Sequence, residues 1–123
     1  GYSDVQIFDP ATGHWQVSDG TTGSPAPMPV GRGGGGKAVY VRGEFWVIGG
    51  ETLDGPGATA QRTYNRTDIF DPRSNRWREG PRLHAARHGI FPVLSDDLLL
   101  VAGGGKEAGA SASTLLELLW LGR

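Results

Sequence analysis

The sequence predicts an all-β fold built from a repeated unit of short antiparallel strands. Three observations carry this. Ile-Phe-Asp-Pro occurs twice, as Ile7-Phe8-Asp9-Pro10 and Ile69-Phe70-Asp71-Pro72, and each copy places a Trp (Trp15, Trp77) seven positions after its Phe. Two apolar runs, ending at Ile48 and Ala102, each run into a Gly-Gly pair, Gly49-Gly50 and Gly103-Gly104. The third is punctuation: 21 Gly and 8 Pro in 123 residues break the chain into many short apolar runs, too often for a helical protein.

The length fits one domain. A net charge of −1 calls for neither nucleic acid nor an acidic surface as partner. Ten of the twelve basic residues are Arg, which reads as genome composition. With no Cys, disulfides and thiol chemistry are excluded. That absence leaves the compartment open, a secreted or periplasmic bacterial setting included. No apolar run is long enough to cross a membrane as a helix.

Residues 4–8 alternate as a strand. Asp9-Pro10-Ala11-Thr12-Gly13 makes a tight turn, since Pro presets φ and Asp bonds its own backbone. A second strand runs through Trp15 and Val17. Residues 18–34 read as a long Gly/Pro/Ser/Thr loop. The strand at 37–41, the turn Arg42-Gly43 and the nearly continuous apolar strand 44–48 follow, as for a strand buried on both faces. After a second long loop at 51–62 the opening motif returns as strand, turn, strand to about Arg78. Residues 80–89 then match the earlier Met28-Pro29-Val30-Gly31-Arg32 segment, which aligns Arg87 with Arg32. Strands at 90–94 and 98–102 flank a turn at 95–97. The tail 114–121 has Leu115, Leu118 and Leu119 at helical spacing, whereas the repeat places a strand there, with Glu117-Leu118-Leu119 where Asp68-Ile69-Phe70 stood. Neighbouring context overrides propensity, so a strand is expected. A unit of about 50 residues with four strands has the length of a propeller blade.

Gly49-Gly50, Phe70 and Trp77 in one unit, Phe8 and Trp15 before it, and Gly103-Gly104 after it resemble the kelch repeat across essentially the whole chain. The chain departs in having Phe where Tyr is common, and in lacking Asp-Pro and Trp after Leu119. It looks like the C-terminal part of bacterial kelch-repeat proteins. The resemblance implies a β-propeller with blades of four antiparallel strands around a channel. On that reading 1–31 holds the outer strands of one blade and a linking loop, 32–79 a complete blade, and 80–123 a partial last blade. About two and a quarter blades form an incomplete propeller, so remaining blades or further copies of the chain are needed to close the ring.

Propeller connectivity gathers the long loops 18–34, 51–62, 80–88 and 105–113 on one face, and such a face is the default place for binding. Arg32 and Arg87 enter the innermost strands at matching positions. Each is a candidate to hold an anion with its planar fork, or to pair with an acid or with loop carbonyls of the neighbouring blade. His84, Arg87 and His88 cluster, but in a loop their spacing lacks the shared face that a metal pair needs on a helix. Glu51, Asp54, Arg62, Lys106 and Glu107 offer charges on the same face, and solvated loop residues explain them as well. Gly33–Gly36 lacks the Lys-Ser/Thr of a phosphate loop and fits close strand approach instead. The aromatic residues fit blade packing.

No catalytic constellation, cofactor motif or metal motif stands out. The expected function is a non-catalytic interaction module presenting its long loops, with Arg32, Glu51, His84, Arg87 and His88 as candidate ligand residues, to a protein or glycan. A separate reading is purely structural, a piece of a larger extracellular adhesion or scaffold protein. The alternative is part of a carbohydrate-active kelch enzyme. The copper-radical oxidase type needs a Cys–Tyr cofactor that a chain without Cys does not supply. A sialic acid epimerase-like type would hold a sugar acid at the channel mouth.

Overall fold

The computed structural model describes residues 2–53 and 61–122. Eleven strands are present among them and no helix. The first sheet pairs β1 (Gln6–Asp9) with β2 (His14–Val17). The second is a four-stranded antiparallel sheet in the order β3 (Val39–Val41), β4 (Glu44–Ile48), β7 (Thr67–Asp71), β8 (Arg76–Glu79). The third holds β9 (Val93–Ser95), β10 (Leu98–Ala102) and β11 (Leu116–Trp120). The tail is therefore a strand. Its pairing partner β10 decides this, aligning Leu100 with Leu118 along a full five-residue ladder.

A small hairpin, β5 (Glu51–Thr52) with β6 (Arg62–Thr63), stands between β4 and β7 where a plain loop was expected. Residues 54–60, including the candidate Asp54, lie outside the described residues.

The two motif copies fold alike. Asp9 Oδ1 accepts from Ala11 N, and Asp71 Oδ1 from Arg73 N, each at 2.9 Å. Both turns close through a left-handed residue, Gly13 (φ 73°) and Asn75 (φ 55°). Phe8 and Trp15 are cross-strand partners, as are Phe70 and Trp77. Both ring pairs sit 5.1 Å apart at almost the same tilt, a geometry worth about 0.5–1.5 kcal/mol beyond area burial.

The core lies between the second and third sheets. Val39, Val41, Trp46, Ile48 and Ile69 from one meet Leu99 and Val101 from the other, with Leu83 and Ile90 from the connecting segment. Alternation sets this up: Trp46 and Ile48 of β4 point to the third sheet, while Phe45 and Val47 point the other way, toward β1. Near the channel the backbones come very close. A Cβ on Gly36 would collide with the Ile90 carbonyl, and one on Gly49 with that of Arg87. Glycine at these positions is a steric requirement.

The imperfect period also has a structural cause. Ser18 N donates to Val5 O as Gly80 N does to Thr67 O. Met28 N donates to Ser3 O as Leu83 N does to Asn65 O, and Arg32 N to Tyr2 O as Arg87 N does to Tyr64 O. Ser18 and Gly80 are 62 positions apart, but Met28 and Leu83 only 55. The extra length falls in 19–27. That excursion leaves the long-loop side: Asn75 Nδ2 donates to Ser24 O, Asn75 Oδ1 accepts from Ala26 N, and Trp77 Nε1 donates to Ala26 O. The expectation that all of 18–34 sits on the long-loop face is corrected accordingly.

Candidate functional site

The two matching arginines are buried. Arg32 donates from Nη1 to Asp68 Oδ2 at 2.7 Å, from Nε to Gly49 O at 2.6 Å, and from Nη2 to Val47 O at 3.2 Å. Arg87 donates from Nη2 to Glu117 Oε2 at 2.8 Å, and from Nη1 to Gly103 O at 2.8 Å and Val101 O at 3.4 Å. The carbonyls are the repeat equivalents of each other. Each guanidinium thus ties the entry of the innermost strand to the ends of the next two strands of its own sheet, which corrects the expectation of loop carbonyls from the neighbouring blade. Side-chain exposures of 1% and 0% leave neither fork open to a ligand, so of the two roles open for these residues the geometry is that of an internal pair.

Asp68 and Glu117 are the acids of these pairs, and their matched positions were visible in the sequence. Asp68 also takes Arg66, at 2.7 Å. Glu117 instead accepts the backbone N–H groups of His84 (2.6 Å) and Ala85 (3.2 Å). Burial alone would raise the Glu117 carboxyl; those two N–H bonds and the Arg87 charge outweigh it and hold the group below its ordinary value.

Glu51 and His88 come together on the long-loop face. Glu51 leaves β5 with Oε1 3.5 Å from His88 Nδ1, while its Oε2 accepts from Gly109 N at 2.7 Å. His88 Nε2 lies 2.9 Å from Glu107 O and 3.4 Å from Ser111 Oγ. Backbone bonds between His88 and Gly105 fix the loop 105–111 beside the ring, and Thr63 Oγ1 donates to Lys106 O at 2.7 Å. Ser111, His88 and Glu51 follow the order of a hydrolytic triad, but the hydrogen bonds do not support that chemistry. Ser111 Oγ donates to Glu107 O at 2.6 Å, and the same carbonyl faces His88 Nε2. An N–H suits that contact, and a ring nitrogen carrying its proton is no base for Ser111.

His84 stands apart from His88: it is exposed, and its backbone N–H serves Glu117. Sequence reasoning missed Tyr64. Its hydroxyl is 2.7 Å from Thr52 Oγ1, and the Arg62 guanidinium lies over its ring at 4.6 Å. Burial would raise the phenol, but its bonds to Thr52 and Arg62 and the charges of Arg62 and Arg32 lower it. Nothing in the spacing of Thr52, Arg62 and Tyr64 announces this group, because the hairpin that assembles it interrupts the repeat. Gly49, Gly50, Gly103 and Gly104 line the strand ends beneath this face, while Phe8, Trp15, Phe70 and Trp77 form the outer ring pairs.

No family model matches the chain. It is 28% identical over 115 residues to alpha-scruin of Limulus polyphemus, covering 94% of this chain and 12% of that protein. It is 37% identical over 83 residues to an F-box/kelch-repeat protein of Arabidopsis thaliana, covering 65% of this chain and 17% of the relative. A second such Arabidopsis protein is 40% identical over 68 residues, covering 55% of this chain and 15% of its own length. The chain thus spans less than a fifth of each of these relatives. In fold it matches the solved structure of YjhT with a TM-score of 0.58 at 17% identity, covering 87% of this chain and 32% of that one. The duplicated motif, the order of the sheets and these relatives agree: the chain is a stretch of kelch-repeat β-propeller, with strands from three adjacent blades and one blade complete.

Proposed function

We propose that this chain is a non-catalytic interaction module whose long-loop face meets a macromolecular partner, a protein in the first place. One observation carries the reading: loops of two neighbouring blades are bonded into a single surface. Gly109 N to Glu51 and Thr63 to the Lys106 carbonyl join the β5–β6 hairpin of one blade to the 105–111 loop of the next. A surface ordered before contact avoids the entropy of ordering it on binding. The F-box/kelch-repeat relatives support the same direction by analogy.

The test compares capture by the wild-type chain with capture by Lys106→Glu and Arg62→Glu, both exposed on this face. A partner identified by mass spectrometry should bind the wild type directly and lose at least tenfold in affinity to one of these variants. Binding that ignores both but disappears on changing the Arg42 or Asn75 turns would overturn the reading. The sugar-acid alternative has less to rest on, because Arg32 and Arg87 are already paired inside their blades. Saturable binding of a sugar acid, lost in Arg62→Glu, would revive it at a different place.

The ring itself is completed by further blades or further copies of the chain. Val93, Leu116, Leu118 and Trp120 are 53–72% exposed along one face of the third sheet. On the other side, a cleft of about 650 Å³ lined by Val5, Ile7, Phe8, Phe45 and Val47 separates β1 from the second sheet. These are the surfaces on which propeller blades stack. Analytical ultracentrifugation of this chain should show association that strengthens with concentration; a monomer at all concentrations would contradict completion by copies and leave further blades.

A further inference from the structure

We propose that His88 is a pH-operated latch between the two loops of the interaction face, closed when the imidazole is protonated. The inference deepens the reading of that face as a preorganised surface, and it rests on that reading only for its biological use. Each ring nitrogen has as its nearest partner an acceptor with no proton to give, and the Ser111 hydroxyl, 3.4 Å from Nε2, is engaged with the Glu107 carbonyl at 2.6 Å. Nδ1 faces the Glu51 carboxylate at 3.5 Å, and Nε2 faces the Glu107 carbonyl at 2.9 Å. A neutral ring has one N–H and one lone pair. With the proton on Nε2, the lone pair of Nδ1 opposes a carboxylate. With it on Nδ1, the lone pair of Nε2 opposes a carbonyl whose other donor is the Ser111 hydroxyl. Only the imidazolium matches both contacts while Ser111 keeps its 2.6 Å bond to the Glu107 carbonyl. Histidine is the side chain that changes charge near neutral pH, so the mismatch arises within an accessible range.

The surroundings make this contact mechanical. Glu51 belongs to β5 of one blade and also holds Gly109 N; Glu107 and Ser111 belong to the loop of the next. His88 therefore stands between the hairpin and the loop tip. The charged groups of the packed elements are few. Glu51 comes from β5; Arg62 of β6 lies over the Tyr64 ring, whose hydroxyl is bonded to Thr52; and Lys106 and Glu107, both exposed, come from the loop. Arg87 turns away to Glu117, and Arg32 of the facing segment turns away to Asp68. Glu51 is thus the charge that the imidazolium meets. Side-chain exposures of 12% for His88 and 13% for Glu51 limit screening of the pair by water. Loss of the proton removes this attraction and sets a lone pair against one of the two acceptors, so the 105–111 loop is held to the hairpin less firmly, through the Gly109–Glu51 and Thr63–Lys106 bonds that remain.

Residue-resolved amide hydrogen exchange on the whole chain tests the latch without any partner. Protection factors, corrected for the intrinsic effect of pH, are compared at pH 5.5 and 8.5. The amides of Gly109 and Glu107 should be at least fivefold better protected at the lower pH, while those of β4 and β7 change little. His88→Gln and Glu51→Gln should each abolish the difference, and His84→Gln, at an exposed ring, should keep it. If His88→Gln does not fold, Glu51→Gln decides. Equal protection at both pH values in the wild type, or a difference that survives in Glu51→Gln, overturns the latch. Either result leaves partner binding by this face to be judged by its own test.

Discussion

The Arg32 and Arg87 sockets occupy the same place in two successive blades, yet they neutralise the buried guanidinium differently. In the complete blade the acid is the shorter Asp68, fully buried, shared with Arg66, whose Nη1 in turn reaches Glu79 at 3.2 Å. In the following blade it is the longer Glu117, which reaches the loop backbone at His84 and Ala85. The neighbours explain the choice. Pro29 occupies the repeat position of His84 and has no N–H to offer, so Asp68 needs another donor and Arg66 supplies it. Leu115 stands where Arg66 would be, so Glu117 relies on the loop. What repeats is the pairing of a buried guanidinium with an acid, although Arg87 Nε, unlike Arg32 Nε, has no hydrogen-bond partner among the described residues, and each acid is held by the donors at hand.

The comparison breaks most severely at Asp68. Asp68→Ala strands Arg32 and faces it with Arg66, so unfolding in denaturant should show a loss of about 3–5 kcal/mol. Glu117→Gln should be milder, about 1–3 kcal/mol, because the amide oxygen still accepts one N–H. The same variant sharpens a pH test. Glu117 titrates lower in the folded chain than its ordinary value of 4.5. Its contribution is therefore complete above that value and is lost as pH falls through the folded one. The wild type should lose stability in that acid window faster than Glu117→Gln does, and parallel curves would contradict the assignment.

Away from the sockets the effects shrink. Trp77→Phe keeps the ring pair but removes the bond to the Ala26 carbonyl, and should cost about 1 kcal/mol by the same measurement. Trp15 is 62% exposed in this chain, so Trp15→Phe should cost less than Trp77→Phe. The smallest change is expected for Arg42→Ala, whose partner Asp97 is exposed like itself: about 0–1 kcal/mol, declining further in salt.

The fold was legible because its signals are local or repeated. Phe8/Trp15 and Phe70/Trp77 mark paired strands, and Gly-Gly marks the ends of β4 and β10. The β11 strand needed repeat logic, since Leu115, Leu118 and Leu119 alone suit a helix. The candidate face was legible only in outline. Glu51 and His88 were both on it, but their contact depends on the β5–β6 hairpin and on loop backbone atoms that carry no side-chain signature. Ser111 and Tyr64 were missed for the same reason. Arg32 and Arg87 showed the opposite limit: their positions were clear, and only three-dimensional partners distinguish a ligand fork from an internal pair.

That distinction is tested most directly by a double-mutant cycle across Arg87 and Glu117, using Arg87→Met, Glu117→Gln and the double variant, with unfolding free energies measured at pH 7. For a buried, hydrogen-bonded pair at 2.8 Å the expected coupling exceeds about 1.5 kcal/mol, and the double variant should be more stable than the sum of the single losses implies. A coupling within error of zero, with Arg87→Met as stable as the wild type, would contradict the internal-pair role and return Arg87 to the ligand face.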